Sequence, residues 1–264
     1  MFQGTSDVQP VAFVTGSAGR RVGRVIADRF AALGYAIAIH GRSEGAESQE
    51  YIDQLRRQNV SYCAVYGELE DADRCEAMVR EVHDHFGRID ILVNSAAIWY
   101  PTSLEKITSQ ELAHYFAVNA TASFLLSRSV GLLMVQQETG GAIINVSDWA
   151  LCRPYVNHAA YFPSKGAVEA MTRSMAIELG SRNTRVRVNC VAPGPVLFAP
   201  GLSEEEKRAV AQSTLLKRTG TPEHIAHAVH FLAENDFVTG VILPVDGGKT
   251  IYCNDNLQTG FGTG

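Results

Sequence analysis

The chain has 264 residues, of which 46% are hydrophobic and 19% charged, and a formal net charge of −5 at pH 7. A chain of this length buries roughly 70–75% of the surface its unfolded form would expose, so it holds a core without metal or disulfide staples. Its mild acidity and lack of a long Lys/Arg run argue against a nucleic-acid partner bound mainly by phosphate neutralisation.

In chain order, seven β-rich runs at residues 11–15, 36–40, 63–66, 89–94, 142–146, 186–191 and 241–245 alternate with segments of helical spacing. Val22, Ile26, Phe30 and Leu33 form one such segment, and Met78, Val82 and Phe86 belong to another. Strands that are apolar at successive positions need cover on both faces, and right-handed helical crossovers supply it. The pattern predicts a doubly wound α/β fold with a seven-stranded parallel sheet and helices on both faces, in one domain over residues 1–264 with its core at about 11–250. The region 115–135, interrupted by Asn119 and Arg128, reads as a packed helix, and no membrane partner is expected. Turn chemistry at 192–203 and a charged helix after it suggest a lid near a site, over residues 199–208.

Five scattered cysteines, Cys63, Cys75, Cys152, Cys190 and Cys253, include no CxxC pair and read as reduced thiols, Cys152 as a small buried hydrophobe. The start, MFQGTSDVQP, has neither the basic nor the apolar stretch of a secretory signal, so a cytoplasmic location is expected.

After the first strand, TGSAGRRVG places Gly16, Gly19 and Gly23 in a turn that opens a helix. Glycines let the backbone approach a pyrophosphate, and the helix start offers N–H groups and a positive dipole end. At the close of the second strand, HGRS puts His40, Arg42 and Ser43 where an NAD-preferring site would offer a carboxylate to the ribose. Arg42, helped by Arg20 or Arg21, suits a 2′-phosphate, although Glu44 and Glu47 stand near, and the reading favours NADP(H) over NAD.

In INVSDWALCRPYVNHAAYFPSK, Tyr161 and Lys165 are four apart and project from one helix face. A phenol near pKa 10 is a poor acid or base at neutral pH, and a nearby ammonium lowers that value, the role expected of Lys165.

The order TG with a Gly-rich turn, NSAA at residues 94–97, Asn119, YFPSK, PGPV at 193–196 and VDGG at 245–248 resembles the short-chain dehydrogenase/reductase family over nearly the whole chain. The resemblance implies a Rossmann fold, hydride transfer with nicotinamide and a homotetramer. It implies Tyr161 as the catalytic acid or base, Lys165 as its partner and a ligand of the nicotinamide ribose, and Asn119 in support. Asn94 and Ala96 would line the cofactor, and Pro193, Gly194 and Val196 would close over its nicotinamide.

Where most members carry a serine, this chain has Asp148, and Ser147 beside it points to the opposite face. A carboxylate about 4 Å from the phenol raises the cost of ionising it by about 4 kcal/mol at an effective dielectric near 20, so Tyr161 is expected as a neutral proton donor in reduction. With Asp148 and the run NSAAIWYPTSL, the chain resembles the pteridine reductase branch, which implies Trp99 stacking a flat ring against nicotinamide and Asp148, Trp99 and Tyr161 binding the substrate. Ala97 stands where that branch has a serine, and the phosphate turn is one residue longer than usual. The expected function is an NADPH-dependent reductase of C=O or C=N in a small molecule. A 3-oxoacyl-thioester or other carbonyl reductase is the alternative within enzymes, and a non-catalytic NADPH-binding sensor the alternative outside them. His224, His227 and His230 drift around their helix at three-residue steps, and no metal is expected.

Overall fold

Strand β1 (Val11–Val14) is buried at all four positions, which requires cover on both of its faces. In the computed structural model, which describes residues 8–198 and 201–253, β1 lies inside a seven-stranded sheet. The others are β2 (Ala36–Gly41), β3 (Tyr62–Tyr66), β4 (Ile91–Asn94), β5 (Gly141–Val146), β6 (Val186–Pro193) and β7 (Ile242–Val245). The order is β3-β2-β1-β4-β5-β6-β7 and every pairing is parallel, with Val14 opposite Ile39 on one side and Val93 on the other.

Alternate residues feed two cores. Val11, Phe13, Ala38, Leu92 and Ile143 face α3 (Ala72–Phe86), α5 (Ala122–Gln136) and α6 (Tyr161–Gly180) through Met78, Val130, Met134 and Leu179. Ala12, Val14, Ile37, Ile39, Val93 and Ile144 face α1 (Val22–Ala32), α2 (Ala46–Arg57) and α8 (Pro222–Glu234) through Ile26, Phe30, Tyr51, Leu55 and Val229. Each such large side chain contributes roughly 1.5–3 kcal/mol through its removal from water. The expected doubly wound Rossmann architecture is what forms.

The strands fall within one or two residues of the sequence expectation. β4 begins at Ile91 rather than at residue 89 because the side-chain amide of Gln137 takes both the N–H and the carbonyl of Ile89, displacing a neighbouring strand. α3 starts on the Asp71 carboxylate, which accepts from Arg74 N, and stops at Gly87 with φ 75°. In α8, His224 Nδ1 accepts from Thr221 N, and His230 pairs with Glu234, so two of the three histidines have local structural partners.

α4 (Ser109–Tyr115) runs into α5 through a π-helical segment, Phe116–Thr121. The combined helix, Ser109–Gln136, is long and apolar enough to cross a membrane by length and composition, which differs from the sequence reading of too polar a stretch. Its apolar window is 56% buried inside the molecule, in the core shared with α3 and α6. In the expected lid, residues 199–200 lie outside the described residues; Ser203 and Glu206 cap the exposed α7 (Glu204–Gln212). Cys152 is exposed rather than buried, because the chain after the short turn Trp149–Leu151 runs along the surface.

Candidate active site

Crossovers leave β1 and β4 in opposite directions, and the crevice between their carboxyl ends is where ligands bind in open α/β sheets. Gly16 closes β1 with φ +69°, and a Cβ on it would stand 3.1 Å from Cα of Ala96 at the end of β4. At Gly23 a Cβ would stand 3.0 Å from the Gly16 carbonyl. Residues 16–23 therefore form a turn in which Gly16 and Gly23 leave little room for a side chain, opening on the first turn of α1. A pyrophosphate fits this cradle, and Gly16, Gly19, Gly23 and Ala96 are brought together at it.

His40 departs from expectation. It is buried, its Nδ1 accepts from Gly16 N at 3.0 Å and its Nε2 faces the Gly67 carbonyl at 3.2 Å. Burial pushes its pKa down to about 4, so the ring is a neutral brace for the glycine turn and not a phosphate ligand. Arg20 also departs: it is exposed and pairs with Glu50 at 2.5 Å, while Glu47 accepts from its N–H. Arg21 caps the start of α1, and Arg21, Arg42 and Ser43 are exposed beside the cradle. Arg24, unnoticed in the sequence, is buried, bonds the carbonyls of Ala18 and Glu47, and lies 4.6 Å over the Tyr51 ring. Its position one turn into a helix signals only an amphipathic face.

Asn94 lies in the core rather than in the crevice, because its amide is drawn to Asn145 Oδ1 (2.8 Å) and Ser127 Oγ (2.9 Å). Asn119 sits in the π-helical segment, a distortion frequent at functional sites. Its side chain pairs with both backbone groups of Ile98 (2.8 and 3.1 Å) and donates to Ser164 Oγ, which in turn donates to the Tyr161 carbonyl. No hydrogen bond reaches the Tyr161 hydroxyl or Lys165, so Asn119 is a positioning residue joining the β4 loop to α6.

Tyr161 opens α6, Asp148 follows β5, and the Tyr161 hydroxyl donates to Asp148 Oδ2 at 2.8 Å. Oδ1 accepts from Ala150 N, which fixes the carboxylate. Burial first, then the Asp148 charge, hold the Tyr161 phenol well above its ordinary pKa. Asp148 is itself raised by burial, and Lys165 is lowered by burial with Asp148 opposing. Lys165 Nζ donates to the Val146 carbonyl at 2.8 Å. Burial and the carboxylate outweigh any lowering of the phenol by Lys165, and the Lys165 charge acts on Asp148. Ser147 turns away and donates to Glu169.

Trp99 is 41% exposed and stacks on His158 at 4.8 Å and 19°, its Nε1 donating to the Tyr155 hydroxyl. One indole face is therefore covered from within the protein. Tyr155 and His158 complete an aromatic wall with Tyr161 and Phe162, and the sequence signal for it was the aromatic spacing of YVNHAAYF. His158 Nδ1 bonds the Val156 carbonyl while Nε2 is buried without a partner. At the far side, Gly194 N donates to the Val245 carbonyl, tying the loop of Pro193, Gly194 and Val196 to β7.

Lys165, the glycine cradle and residues 193–196 are the groups that would hold a nicotinamide dinucleotide, whose reactive ring supplies hydride chemistry when bound.

A family model described as enoyl-(acyl carrier protein) reductase matches residues 16–250. The 3α-hydroxysteroid dehydrogenase of Mediterraneibacter gnavus is 35% identical over 247 residues, covering 90% of this chain and 95% of that protein. A short-chain type dehydrogenase/reductase of Picea abies is 36% identical over 257 residues, covering 90% and 92%. The 3-oxoacyl-[acyl-carrier-protein] reductase FabG of Staphylococcus aureus is 33% identical over 241 residues, covering 90% and 96%.

Proposed function

The chain belongs to the short-chain dehydrogenase/reductase family of nicotinamide-dependent oxidoreductases, and on that premise we propose that it is an NADPH-dependent reductase of C=O or C=N bonds whose substrate is a flat nitrogen heterocycle of the pterin type. The observation that carries the reading is the hydrogen bond from the Tyr161 hydroxyl to Asp148. A phenol held neutral by a carboxylate is matched to giving a proton to the atom that becomes an alkoxide or amide anion, and mismatched to taking one from an alcohol. The Lys165 charge lowers the Asp148 pKa and the Asp148 charge raises that of Lys165, so each opposes the effect of burial on the other. The carboxylate oxygens also accept N–H groups, and the exposed part of Trp99 offers a stacking surface, both of which favour a nitrogenous ring. Arg42 and Arg21 beside the cradle favour a 2′-phosphate.

A second reading, reduction of a 3-oxoacyl thioester, has the FabG likeness in its favour. Exposed Phe124, Leu132 and Ile177 on α5 and α6 support assembly as a homotetramer. Following loss of NADPH absorbance with dihydropterins, quinones, ketones and an acetoacetyl thioester tests the reading. Turnover of the dihydropterin, lost by about 10²–10⁴-fold in Tyr161→Phe, supports it. Preference for the thioester selects the second reading, and cofactor binding without turnover of any member leaves a sensor.

A further inference from the structure

A net charge of −5 notwithstanding, positive charge gathers at one rim of this site. Arg153 follows the short turn Trp149–Leu151, and Lys249 follows β7. The half-buried Lys249 ammonium stands 4.7 Å from the centroid of the Trp149 indole and donates to Ser213 Oγ. Trp149 in turn packs against the cluster that contains Tyr115, Ala150, Tyr161 and Phe162, which places this ammonium on the outer side of the same cluster as the reacting phenol. Arg153 is fixed by bonds from Nη1 to the carbonyls of Lys249 (3.1 Å) and Tyr252. Those acceptors are neutral carbonyls, and among the described residues no carboxylate forms an ion pair with Arg153.

Burial, then Arg153, push the Lys249 pKa down, and Asp246 opposes them. Both Asp246 oxygens are already engaged by the N–H groups of Gly248 and Thr250. Lys217 adds a third cation, 3.9 Å from the Tyr252 ring and 2.6 Å from its hydroxyl. Arg153 and Lys249 are thus held close enough to oppose each other's charge, with Asp246 offsetting part of that repulsion, an arrangement that a further anion relieves.

We propose that Lys249 and Arg153 form a subsite for an anionic tail of the substrate, a carboxylate or phosphate carried beyond the group reduced at Tyr161. The subsite rests on Asp148 and Tyr161 as the reacting pair and deepens that reading without depending on which head group is reduced. Trp149 gives the link between head and tail an apolar face, and Lys249 and Arg153 take the anion in charge-assisted bonds.

Matched substrates test this. Dihydrofolate carries glutamyl carboxylates where dihydrobiopterin has an uncharged side chain; acetoacetyl coenzyme A carries phosphates that the acetoacetyl N-acetylcysteamine thioester lacks. In whichever pair is reduced, the tailed member is expected to have about tenfold higher kcat/KM, expressed in KM and weakened by salt. Lys249→Met removes the advantage, Lys249→Glu inverts it and Lys249→Arg keeps it, each read as the ratio of kcat/KM for the tailed member to that for the tailless one. Equal kcat/KM for both members in the wild type, or an advantage that survives Lys249→Met, overturns the subsite while leaving the reacting pair intact. If neither pair is reduced, the functional reading falls, and dihydrofolate binding followed by tryptophan fluorescence judges the subsite. Weaker binding to Lys249→Glu than to wild type supports it, and equal binding overturns it.

Discussion

The Tyr161 hydroxyl donates to Asp148 Oδ2 across 2.8 Å, joining the first residue of α6 to the loop after β5. A serine in place of Asp148 would leave the phenol facing a neutral partner. The carboxylate instead penalises the phenolate directly, on top of the penalty of burial, and so sets which way the proton moves.

Replacing that carboxylate has a definite sign. Burial is the first cause of the raised Tyr161 pKa and remains in Asp148→Ser, whereas the charge and the hydrogen bond of Asp148 are removed. A proton donor works below its pKa, so the alkaline limb of the reductive kcat is expected to move to lower pH in the variant. Oxidation of the product alcohol or amine should gain relative to reduction, and heterocycle reduction should fall about 10²-fold. Profiles in both directions check this, and an unmoved alkaline limb would show that Asp148 does not control the phenol.

Arg42→Asp is expected to raise KM for NADPH about 10–100-fold while leaving KM for NADH unchanged or lower, since loss of charge-assisted bonds to a phosphate corresponds to about 1.5–3 kcal/mol. Arg20→Ala should change either value far less, because Arg20 is paired with Glu50. Kinetics with the two cofactors decide; equal losses for both would place Arg42 outside the 2′-phosphate site.

His40 links stability to pH. Its pKa is about 4 in the folded protein and 6.5 as a free side chain. Between those values the unfolded chain binds a proton that the folded one does not, so stability falls as pH drops from 6.5 to 4 and is complete above that window. The shift corresponds to about 3 kcal/mol. Urea unfolding of wild type and His40→Asn at pH 7 and pH 5 should show a smaller loss on acidification in the variant, which nonetheless starts lower because Gly16 N and the Gly67 carbonyl lose a partner.

Asn119→Ala leaves the Ile98 backbone and Ser164 without their partner. An unfolding free energy lower by about 1–3 kcal/mol is expected, together with a reduced kcat and a phenol pKa limb that does not move. A shifted limb would mean that Asn119 acts on the proton directly rather than by placing α6.

The seven strands, the two-sided helical cover and the glycine turn are local patterns, and short continuous apolar runs set against segments of 3.6 spacing determined them along with the YxxxK register that puts Tyr161 and Lys165 on one helix face. The unusual carboxylate at residue 148 was equally legible, since its distance from Tyr161 along the chain is fixed. Tertiary structure alone decided which polar group each side chain meets. His40 was directed inward to brace Gly16, Asn94 toward β5, Trp99 onto His158, and Lys165 onto a carbonyl with its charge acting on Asp148. Those partners come from separate elements that approach only when the sheet closes. Burial then penalises any charge or polar atom left unmatched, and that condition belongs to the assembled interior rather than to any one segment of sequence.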